Sequence, residues 1–196
     1  TIVFSCVGVL IVSFVELYTL NVTDINYLRP DFAILITAAE AAFCIRHPYR
    51  SLVHATGMFK ETKNAAIVEA AINFLVSIAL AWKIGLNGVV IGTLIANIYR
   101  TISYARFTSR FVLDRRLYVA LLRFLWCVFN IFICIMAINP IITLNPVGGW
   151  IGWVVNGLIS ICISSLITIV SSLVFYKDDV KAVLNYLKIA IGKKRN

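Results

Sequence analysis

Apolar runs long enough to cross a bilayer recur along this chain with only short polar breaks, and that pattern leaves no room for a separate soluble domain. A hydrocarbon core of about 30 Å needs about 20 apolar residues per helix. The segments 1–20, 32–55, 65–82, 88–107, 119–142 and 150–176 meet or approach that length. Composition agrees, with 61% hydrophobic and 14% charged residues and a mean hydropathy of +0.91, where soluble domains carry about a quarter charged residues. The expected fold is all-α: a polytopic membrane bundle of about six transmembrane helices over 1–176, followed by a basic amphipathic cytoplasmic tail over 177–196.

The first run starts at Thr1 without the charged leader and small-residue cleavage site of a signal peptide. It therefore reads as a true span of a chain expected to begin part-way through a longer protein. Basic residues collect in cytoplasmic loops, and threading six spans sorts the cations unequally. One side receives Arg46, Arg50, Lys60, Lys63, Arg100, Arg106, Arg110, Arg115, Arg116, Arg123 and the tail lysines and arginine, and the other only Arg29 and Lys83. Both ends are thus expected on the cytoplasmic side of the membrane. The formal net charge of +9 reads as topology and contact with membrane lipids, not as a nucleic-acid surface.

Ionisable side chains inside a span are costly and face a bundle interior or a wet cavity. The second run is the richest in them. At 100° per residue, Glu40, Cys44, His47, Ser51 and His54 form one stripe, with Arg50 and Arg46 on its flank. Pro48 among them removes a backbone hydrogen bond and predicts a kink or opened turn. Arg46 and Arg50 suit an anionic group such as phosphate, which a planar guanidinium binds with two parallel bonds. The competing reading has Arg46, Arg50 and His54 snorkelling to headgroups at the helix end.

Other runs carry similar stripes: Glu69 with Asn73; Thr93, Asn97, Arg100 and Tyr104; and Arg123, Cys127, Asn130 and Cys134. They predict a shared hydrophilic interior, with Arg100 and Arg123 as further anion-binding candidates and Asn73 and Asn97 lining it. Bonding between helices by Asn and Thr explains any one stripe equally well. The carboxylates of Glu40 and Glu69 lie well inside their runs, where desolvation favours either proton or cation coupling or pairing with a neighbouring cation. Gly85-Leu86-Asn87-Gly88 predicts a tight turn, and Gly88, Gly92 and Ala96 at four-residue spacing predict a closely packed hairpin of the third and fourth runs. The five cysteines fall inside apolar runs and read as small hydrophobes. No nucleophile elbow, HExxH or Walker loop occurs, so neither an enzyme nor a metal or cofactor is expected.

The stretches Arg46-His47-Pro48-Tyr49, Ala55-Thr56-Gly57-Met58-Phe59-Lys60-Glu61-Thr62-Lys63-Asn64, Ala65-Ala66-Ile67-Val68-Glu69-Ala70-Ala71-Ile72-Asn73 and Gly85-Leu86-Asn87-Gly88-Val89-Val90-Ile91-Gly92-Thr93 have a familiar pattern. It resembles the C-terminal half of bacterial polysaccharide (O-antigen or capsule, Wzx-type) flippases of the multidrug/oligosaccharidyl-lipid/polysaccharide exporter superfamily. The likeness is strongest over 46–107. It implies the second lobe of a two-lobed, MATE-like transporter in the bacterial cytoplasmic membrane, with the first lobe missing from this chain. It further implies flipping of oligosaccharide linked to undecaprenyl diphosphate between leaflets by alternating access, with other polysaccharide assembly proteins as partners. Arg46 and Arg50 match the family's basic region by position, whereas Arg100 and Arg123 have no motif counterpart. Two rivals follow from the same residues: a cation-coupled drug exporter using Glu40 and Glu69, and a non-transporting membrane scaffold.

Overall fold

Prolines and glycines set the helix ends. Pro30 opens a helix in its first turn, where its missing N–H costs nothing, and Asp31 beside it faces the positive end of the helix dipole. That helix stops at Ile45 because Pro48 cannot donate to the Cys44 carbonyl. A new helix starts at once, its first turn closed by the Arg50 amide on the Arg46 carbonyl at 2.9 Å, and ends at Gly57 in the left-handed conformation (φ +70°). In the computed structural model the elements are α1 (Ile2–Tyr18), α2 (Pro30–Ile45), α3 (His47–Thr56), α4 (Phe59–Ile84), α5 (Leu86–Phe111), α6 (Leu117–Leu144) and α7 (Gly149–Phe175). The structure describes residues 1–22, 27–114, 116–144, 148–177, 180–181 and 185, with backbone only at 143 and 144. Among these every regular element is helical, so the fold is all-α. The amphipathic helix predicted within 177–196 lies outside the described residues, except for Lys177, Val180, Lys181 and Asn185.

Five of the six predicted runs correspond to single helices, and the second is divided at Arg46 into α2 and α3. Three helices, α4, α6 and α7, are long and apolar enough to cross a membrane, and α1 is a shorter apolar helix of 17 residues. The division of 32–55 leaves two pieces of 16 and 10 residues, each below spanning length by itself. In α5 the three arginines Arg100, Arg106 and Arg110 dilute a 26-residue helix. Helices of spanning length and apolarity mark the chain as a membrane protein.

The chain forms two compact units, Val7–Phe129 and a second made of Thr1–Cys6 with Asn130–Asn196, the boundaries falling within α1 and α6. In the first, α4 and α5 form the predicted hairpin about Gly85. A Cβ at Gly88 would lie 2.4 Å from the Leu80 carbonyl carbon, and one at Gly92 would lie 2.7 Å from the Ser77 amide nitrogen. Backbone therefore meets backbone, a distance only glycine permits. Next, α2 lies on α5, where Asn97 Nδ2 donates to the Ala39 carbonyl and Thr101 Oγ1 to the Ala42 carbonyl, each at 2.9 Å.

The polarity of this unit is inverted relative to a soluble protein. Along α5 the buried face includes Asn97, Arg100, Thr101, Thr108 and Ser109, while α4 turns Ile67, Phe74, Leu75, Ile78 and Trp82 outward, Trp82 being 89% exposed. Outward apolar surface on that scale is stable against lipid, and the polar interior then holds the helices together.

In the second unit the buried face of α7 carries Gly152, Asn156, Ser160 and Ser164 at every fourth position. Their hydroxyls satisfy themselves on the turn above: Ser160 donates to the Asn156 carbonyl and Ser164 to the Ser160 carbonyl, both at 2.7 Å. Cys6 Sγ lies 3.6 Å from Ser164 Oγ, and Cys134 and Ile138 of α6 are fully buried.

Candidate functional site

The broken helix α2–α3 presents the predicted stripe to the outside of the Val7–Phe129 unit. Glu40, Cys44, His47, Ser51 and His54 are all exposed, as is Arg50. The reason is packing: Ala33, Ala39 and Ala42 are the small residues that let α2 approach α5, so the opposite face of α2 is left uncovered. Arg50 Nε donates to His54 Nε2 at 3.3 Å, one turn along the stripe, and His54 in turn meets the Phe59 ring edge-on. His47 stands edge-on to Phe43.

Arg46, at the joint between α2 and α3, turns the other way and is 11% exposed in its side chain. Its Nη1 lies 2.5 Å from Glu69 Oε1 of α4. The second carboxylate oxygen, Glu69 Oε2, lies 3.4 Å from Nε of Arg100 of α5, whose side chain is 7% exposed. Three helical segments thus converge on one carboxylate. Two arginines and one glutamate leave the cluster one positive charge in excess.

The two arginines differ in how completely they are satisfied. Arg100 engages all three of its nitrogens: Nε with Glu69, Nη1 with the Thr62 carbonyl at 2.9 Å and Nη2 with Tyr104 Oη at 2.9 Å, and its guanidinium lies 4.2 Å from the centre of the Tyr104 ring. Arg46 uses Nη1 on Glu69 and rests 4.1 Å from the centre of the Phe43 ring, while its Nε is buried without an acceptor. Leaving a buried donor unmet costs about 1–3 kcal/mol, and more when the group is charged.

The remaining candidates fall into place around this cluster. Asn73 Oδ1 accepts from Ser77 Oγ at 3.1 Å and Thr93 Oγ1 at 3.2 Å, which makes it a joint of the α4–α5 hairpin. Asn97 binds the α2 backbone as described above. Arg123, on α6, lines a small cleft of about 50 Å³ with Tyr49, Ser109, Leu113 and Arg116, apart from the Glu69 cluster. Of the predicted set, the structure brings together Arg46, Glu69 and Arg100, and Arg50 with His54. It leaves Glu40 on the outer face, and it commits Asn73, Asn97 and Arg100 to holding helices together.

Sequence reasoning missed Thr62, which contributes a backbone carbonyl and so leaves no mark on any side-chain pattern. It also missed Ser77, although its four-residue spacing from Asn73 places both on one face. Among the described residues no group of three or more His, Cys, Asp or Glu converges as a metal site would require, and no disulfide joins the cysteines. What fold and site define together is an all-helical membrane protein with a polar face left open on a broken helix. Compared with known proteins, the chain matches no family model, no curated protein and no solved structure.

Proposed function

We propose that this chain is one lobe of a membrane transporter that flips a lipid-linked oligosaccharide carrying a diphosphate from the inner to the outer leaflet of a bacterial cytoplasmic membrane. One observation carries the reading: the exposed polar stripe Glu40, Cys44, His47, Ser51 and His54, with Arg50, on a helix broken at Arg46. Polar side chains at membrane depth need water or a partner. A cavity enclosed with a second lobe supplies both, and broken helices beside such a cavity are a recurring feature of transporters. The guanidinium of Arg50, displayed on the stripe, suits a phosphate of the linkage, and Arg46 stands one turn back at the joint, held toward Glu69. The oligosaccharide occupies the wet interior, and the polyprenyl tail stays in lipid. The C-terminus lies in the cytoplasm, as the one-sided distribution of cations favours.

The test replaces Arg46 and Arg50 by Ala in the full-length protein and measures surface polysaccharide in cells. Export is expected to fall at least tenfold at unchanged protein level; normal export removes the reading. The exposed Glu40 carboxylate favours a second one, export of cationic drugs, which predicts raised drug sensitivity on deletion and unchanged surface polysaccharide.

A further inference from the structure

The unequal satisfaction of Arg46 and Arg100 separates two roles within one cluster. Arg100 cannot follow a ligand, because the Thr62 carbonyl and Tyr104 hydroxyl hold its two terminal nitrogens. Arg46 can. Among the described residues its Nη2 meets no acceptor, its Nε is buried and unmet, and its backbone is the joint between α2 and α3. The two bonds of Glu69 use different oxygens, so the carboxylate can release Arg46 while keeping Arg100. Its side chain is 22% exposed, the most accessible of the three.

We propose that Glu69 is a resident counter-anion: it holds Arg46 when no ligand is bound, and a diphosphate displaces it from Arg46 while it stays on Arg100. The inference rests on the reading of the substrate as a diphosphate-linked lipid and adds to it a residue that sets affinity. A charged interior group must be neutralised at every stage of a transport cycle. Glu69 meets that need in the empty protein at the expense of binding, since the ligand must first separate an ion pair. The ring of Phe43 against the Arg46 guanidinium keeps its planar fork aligned during the exchange.

The experiment titrates the full-length protein in nanodiscs with geranyl diphosphate and with inorganic pyrophosphate. E69Q, which keeps the shape and removes the charge, is expected to tighten both by about tenfold, a coupling usual for linked sites. R46M and the double variant R46M/E69Q are expected to lose that binding together. Unchanged or weaker binding by folded E69Q overturns the proposal, and so does a double variant that keeps the tightened affinity.

A second measurement needs no substitution. Phenylglyoxal labelling of the wild-type chain, read by mass spectrometry, is expected to modify Arg46, to be blocked there by geranyl diphosphate, and to spare Arg100 throughout. Labelling of Arg46 that diphosphate does not block overturns the proposal. If E69Q tightens binding while the Arg46/Arg50 double alanine variant still exports polysaccharide, the flippase reading falls and the anion site stands. If export requires Arg46 and E69Q fails to tighten binding, the role of Glu69 falls alone.

Discussion

The α4–α5 hairpin and the α2–α3 segment contain similar polar residues and use them in opposite ways. Inside the hairpin two polar groups are committed to neighbouring helices: Asn73 to Ser77 and Thr93, and Arg100 to Glu69, Thr62 and Tyr104. On the outer face of α2–α3 the groups are displayed. Glu40, Cys44, His47, Ser51 and His54 stand exposed, and the bond from Arg50 to His54 stays within the stripe itself. Polar character in an apolar helix is therefore two different signals. One joins helices, and the other faces water or a ligand; only packing tells them apart.

Thermal unfolding of four variants in one detergent sharpens or breaks that contrast. The largest effect is expected for Arg100→Met, which strands Tyr104 and the Thr62 carbonyl and leaves Glu69 with a single partner. Breaking a buried ion pair costs roughly 3–5 kcal/mol, so the folded fraction should fall steeply. A midpoint within two degrees of wild type would show that the cluster is not structural.

Next comes Gly92→Ala, whose added methyl group would press on Ser77. Overpacking of this kind costs about 1–3 kcal/mol, and the expected result is a lower midpoint with separation of the hairpin seen as increased labelling of a cysteine placed at Ser77. The smallest effect is expected for Glu40→Gln and Ser51→Ala on the displayed face. Surface changes away from any partner stay within about 0.5 kcal/mol, so stability should be unchanged, while the proposed flippase reading expects surface polysaccharide to fall.

Much of this arrangement was legible in the sequence, because the signals are local. Pro48 announced the break, Gly85 to Gly88 the turn, and Gly88, Gly92 and Ala96 the close packing. The 100° periodicity also placed Glu40 to His54 on one face. What periodicity cannot supply is the identity of the helix that a given face meets. Arg46, Arg50, Arg100 and Arg123 looked alike as cations in or near apolar runs, and their separation into one saturated, one half-satisfied and two peripheral groups rests on contacts made across 23 and 31 residues of chain.

The polar face of α7 escaped for another reason. Small residues such as Ser160 and Ser164 barely lower the hydropathy of the run around them, yet at every fourth position they form a seam.

The inverted polarity of the Val7–Phe129 unit has a consequence for handling the protein outside its membrane. Its helices are joined by glycine contacts and hydrogen bonds between Asn97, Thr101, Arg100 and their partners, none of which depends on the medium outside. The apolar residues that demand lipid lie on its outer surface, among them Ile67, Phe74, Leu75, Ile78 and Trp82 of α4, Ile34 of α2, Ile95 and Ile102 of α5, and Leu122 and Leu125 of α6. Recolouring that surface with Glu, Lys and Gln changes the solvent without touching the joints, and offers a route to a water-soluble version of the unit in which the Glu69 cluster can be titrated in plain buffer.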